Sequence, residues 1–283
     1  MGRCGSAIAA LAMSIGALTA CGGGGDGGVG EGARPALPPT VTADAPHGER
    51  TPLPEEDRRG GDDVLRGRTI VIDPGHNGGN ARAPERINRQ VDIGNGRKAC
   101  DTTGTATNAG YSEHAFTWDV SQRLRRLLQQ RGAKVILTRS DDKGVGPCID
   151  ERAAIGNEND ADAVISVHAD GSSATGHGFH IIEPAPVPGV TTEEYVEESH
   201  KLALAIRDAY RAGTGMPYSN YLGREGIDRR NDLGGLNLSK VPKVFIETGN
   251  MRHAGDAAKL SNAQFRQRIA ESLAEGLQKY LRG

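Results

Sequence analysis

Hydrophobic and polar positions divide the chain into three stretches. An apolar run over residues 7–18 follows Arg3 and ends in Leu18-Thr19-Ala20-Cys21. From 22 to about 63, apolar residues are scattered among glycine, proline and charge, as in GGGGDGGVGEG, RPALPPT and PLPEEDRRGGDD. Beyond 64, short β-branched runs alternate with amphipathic stretches. Residues 69–72, 134–138, 163–167, 178–182 and 243–247 read as buried strands. A helix is predicted over 112–131, with Phe116, Val120, Leu124, Leu127 and Leu128 on one stripe and Gly132 as its stop. Further helices are predicted over 149–157, 193–212 and 261–281. Strand–helix alternation predicts an α/β fold over residues 65–283: a single domain with a twisted, mostly parallel sheet flanked by helices on both faces. Ligand sites in such sheets lie at the carboxyl ends of the strands.

The first two stretches predict export. The apolar run is shorter than the roughly 20 residues a spanning helix needs. With a basic start and small residues at its end, segment 1–20 reads as a secretory signal. Leu-Thr-Ala-Cys resembles the bacterial lipobox, in which the cysteine is lipidated; the plainer alternative is a signal that happens to contain Cys21. Segment 21–64 cannot bury enough apolar surface to offset its ordering entropy and is expected to be a flexible tether. Placement is therefore expected outside the cytoplasm, in the cell envelope or periplasm, with the membrane reached through a lipid on Cys21. Export also changes the reading of the cysteines. Cys4 leaves with the signal and Cys21 carries lipid, so Cys100 and Cys148 are expected to form a disulfide. A zinc role is the alternative, but neither has a partner at metal-ligand spacing. A formal net charge of −2 with 25% charged residues argues against a nucleic-acid partner.

Candidate chemistry sits at the ends of these elements. His76 follows the first strand in VIDPGH, His168 follows the third in SVHAD, Glu247 closes the late strand in VFIETGN, and Glu113 opens the first long helix. Taken singly, each has a plain reading as a loop histidine or surface charge. Together they lie where a parallel sheet brings strand ends and helix starts to one rim. Two imidazoles and a carboxylate suit Zn²⁺ with a position left for water. A second carboxylate can move a proton from that water to a leaving amine.

IVIDPGHNGG, the helix-start glutamate, SVHAD and VFIETGNM resemble, in order, the four signature regions of the zinc-dependent N-acetylmuramoyl-L-alanine amidases of the amidase-3 group, most closely the actinobacterial and mycobacterial members. The resemblance implies zinc held by His76, Glu113 and His168, with Glu247 catalytic. It implies hydrolysis of the amide between the lactyl group of N-acetylmuramic acid and L-alanine, with peptidoglycan or a muropeptide as substrate. The 77–112 insertion separates His76 from the helix and makes Glu85 a competitor for Glu113. It is expected to form a hairpin wall or lid pinned by Cys100–Cys148. Asp73 is expected to support a liganding imidazole or shape its turn; Asn231 and Asn237 are expected to contact substrate. His114 is expected to point away, and His180 is left outside the metal set. The alternative functions are a wall-binding lipoprotein with an inactive site and a zinc peptidase or carboxypeptidase cutting another wall peptide bond.

Overall fold

The computed structural model describes residues 63–283. The expectations for the signal, for Cys21 and for nearly all of the tether lie outside the described residues. In chain order, β1 (Thr69–Pro74) leads through a 3-10 turn and the one-turn helix α1 (Pro84–Ile87) to the short strands β2 (Gln90–Asp92) and β3 (Arg97–Ala99). Helix α2 (Glu113–Gln130), β4 (Lys134–Leu137), α3 (Ile149–Glu158), β5 (Ala163–Asp170) and β6 (His180–Pro184) follow. The chain closes with α4 (Glu193–Thr214), β7 (Ile227–Arg230), α5 (Gly234–Asn237), β8 (Lys243–Asn250), α6 (Ala254–Ser261) and α7 (Ala263–Arg282).

The main sheet has the order β4-β1-β5-β8-β6-β7. β4, β1, β5 and β8 run parallel; β6 is antiparallel to β8 and parallel to β7. The sheet is thus mixed, and this reversal matters. It puts the start of β6, rather than its end, beside the carboxyl end of β8, with His180 opposite Glu247.

Two-residue alternation gives the sheet two unlike faces. Ile70, Ile72, Ile165, Val167, Val244, Ile246 and Ile181 enter the large core with α2, α4 and α7. There, Phe116, Val120, Leu124 and Leu128 form the predicted stripe of α2. The other face carries a small apolar cluster around Val71 and Val164. It also carries Phe245, Ile182 and a row of polar residues: Asp73, Ser166, His168, Lys243 and Glu247. α3, α5 and the β2–β3 hairpin lie on that side.

Local differences from the sequence expectation have local causes. The last predicted helix is α7, and a short helix that was not predicted, α6, precedes it; the Asn262 side chain separates the two by accepting from the backbone N–H groups of Gln264 and Phe265. β2, β3 and β7 are three or four residues long, too short to show alternation.

Candidate active site

His76 follows β1 in a turn that few residues tolerate. Its φ is +57°, in the left-handed region that costs a residue with a Cβ about 1–2 kcal/mol. Neighbours hold the turn in place. Arg152 of α3 donates to Pro74 O at 2.9 Å and His76 O at 3.2 Å, and Arg139 donates to Pro74 O at 3.1 Å. Gly75 is required by the close approach of His168, since a Cβ there would collide with that ring.

His76, Glu113 and His168 meet at the rim, each with a donor atom within 4.8 Å of the others. His76 Nε2 lies 3.2 Å from Glu113 Oε2, and His168 Nδ1 lies 3.0 Å from Glu113 Oε1. Ligand atoms at about 2.0–2.2 Å around a tetrahedral zinc stand about 3.3 Å apart, so the spacing fits that ion. The carboxylate is held on both oxygens, accepting from Thr105 N at 2.9 Å and Ala169 N at 3.2 Å. Gly104 makes the first of these contacts possible: at φ +72°, a Cβ there would press on Glu113 and His76. Burial alone would lower the proton affinity of His76, but Glu113 and Asp101 more than reverse this, raising its pKa to about 10. The same negative surroundings favour a metal cation. Glu85 lies exposed in α1, outside this cluster, and His114 turns away to Asp142 at 2.8 Å.

Beneath the cluster lies a buried ionic layer. Asp73 is 2% exposed and accepts from Thr138 Oγ1 at 2.7 Å, Arg152 Nη1 at 2.7 Å, Ser166 Oγ at 2.9 Å and Lys243 Nζ at 3.5 Å. None of these partners is an imidazole, so the expected Asp73 support of a liganding histidine is corrected. Arg152 passes the connection to Asp101 Oδ2 at 3.2 Å, and Asp101 Oδ1 faces His76 Nδ1 at 3.3 Å. Asp101 is the carboxylate that orients His76. Burial would raise the Asp73 pKa, but Arg152 and Lys243 drive it far below the usual carboxylate range.

The insertion forms the neighbouring wall. Cys100 and Cys148 are disulfide-bonded, fixing Asp101 beside the start of α3. Lys98 Nζ meets Asp232 at 2.8 Å, and Asn95 Nδ2 donates to Asn231 O at 2.8 Å. Asn237 is 1% exposed and donates to Ile93 O and Asn231 O at 3.0 and 2.8 Å. Its amide therefore staples the hairpin to α5 and does not face substrate, which corrects that expectation. Asn231 is exposed, and its carbonyl takes part in the same staple.

Glu247 stands next to His168 in the β5–β8 ladder. It lines a cleft of about 340 Å³ shared with His76, Glu113, His168, Asp170 and Arg230. A second space of about 300 Å³ continues past His168 and Phe245 to Lys98 and Leu233. Burial and the nearby charges of Glu113 and Asp170 push the Glu247 carboxyl well above its usual pKa.

Asp101, Arg152 and Lys243 were not singled out from sequence. Two left a signal. Arg152 falls on the apolar stripe of a helix, in step with Ile149 and Gly156, and Lys243 shares its strand face with Phe245 and Glu247. Asp101 carries no motif or period.

Two imidazoles and a carboxylate at one rim, with a second carboxylate across the cleft, are the equipment of a metal-dependent hydrolase. The chain matches the N-acetylmuramoyl-L-alanine amidase family (Amidase_3) over residues 70–279. It is 41% identical over 218 residues to an N-acetylmuramoyl-L-alanine amidase of Mycobacterium tuberculosis, spanning 77% of this chain and 88% of that protein. The crystal structure of the amidase Ami1 from Mycobacterium smegmatis aligns with a TM-score of 0.72 at 38% identity, covering 77% of this chain and 98% of that one. Ami1 from Mycobacterium abscessus aligns at 0.71 and 43%, covering 77% and 100%. The chain belongs to the N-acetylmuramoyl-L-alanine amidase family.

Proposed function

We propose that this chain hydrolyses the amide joining the lactyl group of N-acetylmuramic acid to L-alanine of the peptidoglycan stem, with zinc held by His76, Glu113 and His168. The observation that carries the reading is the two-sided hold on Glu113, which presents one oxygen to each imidazole at 3.2 and 3.0 Å. When bound, zinc supplies Lewis acidity, polarising the carbonyl and lowering the pKa of water. Asp101 keeps the His76 ring oriented, with Nε2 towards Glu113. Glu247 takes a proton from the attacking water as its oxygen bonds the lactyl carbonyl carbon. It returns that proton to the nitrogen of L-alanine as the C–N bond breaks. The cleft admits the scissile amide, and the continuing space beside Phe245 takes the chain beyond it.

The test is mass analysis of muropeptides treated with the purified protein. Intact glycan separating from intact stem peptide, with the reaction stopped by a chelator and restored by zinc, is expected. Cleavage between stem residues instead would make the chain a peptidase, and binding without release would make it a wall-binding protein. We further infer action in the cell envelope, with residues 1–20 as the export signal, 21–64 as the tether and Cys21 as the lipid attachment point. Changing Cys21→Ala is expected to move the protein from the membrane fraction to the soluble one; unchanged partition would refute lipid anchoring.

A further inference from the structure

Across three adjacent strands, His168 of β5, Glu247 of β8 and His180 of β6 stand in one row. Strands lie about 4.8 Å apart, and opposed residues of an antiparallel pair share a face with Cβ atoms about 4.5–5.5 Å apart. His180 therefore flanks Glu247 on the side away from the metal cluster. It is 1% exposed. Its Nδ1 has no hydrogen-bond partner among the described residues, and neither has Glu247 Oε2.

Buried polar atoms are overwhelmingly paired, and two that are not, on facing residues of neighbouring strands, call for an explanation. These two are complementary: a carboxylate oxygen only accepts, and a neutral imidazole has one N–H to give. Burial holds the His180 imidazole below its usual pKa against the raising effects of Asp170 and Asp228, with Arg230 also lowering it. Two other groups stand near Glu247, Arg230 and Tyr221. The Arg230 guanidinium is committed to Asp232 through Nε and Nη2, both at 2.8 Å. The Tyr221 ring meets His180 edge-on at 6.1 Å and braces it; its buried hydroxyl is likewise without a partner among the described residues.

We propose that His180 is a positioning residue for Glu247, its Nδ1–H donating to Glu247 Oε2 and leaving Oε1 for the attacking water. The proposal rests on the reading of Glu247 as the proton carrier. His180 keeps its own proton throughout; its work is to hold the carboxylate in one rotamer.

Two measurements on the full chain test this. In protein carrying ¹⁵N-labelled histidine, the His180 signal, assigned by its loss in His180→Asn, is expected to show the Nδ1–H tautomer. The Nε2–H tautomer would overturn the proposal. In kinetics on a soluble N-acetylmuramyl peptide, His180→Phe keeps the ring against Tyr221 but removes the donor. It is expected to lower kcat about 10- to 100-fold, the worth of one hydrogen bond to a charged group, with KM and bound zinc unchanged. His180→Asn, which restores an N–H near the Nδ1 position, is expected to recover most of the loss. Full kcat in His180→Phe at equal zinc content would overturn the proposal. If Glu247→Gln is inactive while His180→Phe is normal, only the role of His180 fails; if Glu247→Gln is active, the reading of Glu247 fails with it.

Discussion

On the α3 side of the cleft, Asp73 accepts from four donors and Asp101 links Arg152 to His76. On the β6 side, Glu247 Oε2, His180 Nδ1 and the Tyr221 hydroxyl are buried without partners among the described residues. The Asp73–Asp101 layer is fully bonded, whereas the groups around Glu247 hold polar capacity in reserve. The difference follows from what each has to do. On the proposed assignment, the ligands are oriented before a metal arrives, and a fully bonded support fixes them in advance. A proton carrier must change partners during the reaction, so its surroundings are not closed around one state.

Breaking the Asp73–Asp101 layer is expected to cost stability. Asp73→Ala leaves Arg152 and Lys243 buried without their counter-ion, and the expected loss is about 3–5 kcal/mol in urea unfolding. The pH dependence has a definite sign. Because the folded pKa of Asp73 is depressed, its contribution is complete above the unfolded value near 3.9 and declines as pH falls below it. The gap between wild type and Asp73→Ala is therefore expected to be constant from pH 5 to 8 and to narrow below about pH 4; a gap that closes near neutrality would contradict the assignment.

A smaller loss is expected from Cys100→Ala. The bond closes a sequence separation of 48 residues, worth about 2–4 kcal/mol through the unfolded chain, read as a shift of the urea midpoint. Zinc affinity is expected to fall as well, since Asp101 is next in sequence. Smallest in free energy is Asp101→Asn, which keeps the fold but weakens the hold on His76. Zinc affinity is expected to drop about 10- to 100-fold, measured by competition with a chromogenic chelator. Unaltered affinity would move the support of His76 to Thr102, whose carbonyl lies 3.2 Å from Nδ1.

The contrast between the walls also marks what could be read from the residues. His76, Glu113 and His168 were legible because strand ends and helix starts are predictable from period and punctuation, and a parallel sheet gathers them. The stripe on α2 was legible for the same reason. The ionic layer was not: pairing of Asp73 with Arg152, 79 positions away, depends on the register of α3 against the sheet, which no local pattern encodes. Nor was the reversal of β6, because a strand's direction leaves no trace in its alternation. That reversal alone brings His180 to Glu247. Asn237 misled for a related reason. An amide in a glycine-rich loop reads the same whether it meets substrate or its own hairpin.

The division of labour is tested most directly by Glu247→Ala, with bound zinc per chain and turnover of muropeptide measured on one preparation. One zinc per chain, as in wild type, with turnover reduced by about 10²–10⁴-fold is expected. Loss of zinc with activity would make Glu247 part of the metal's own support, and wild-type turnover would remove it from the chemistry; either result contradicts a fully bonded metal support facing a separate proton carrier.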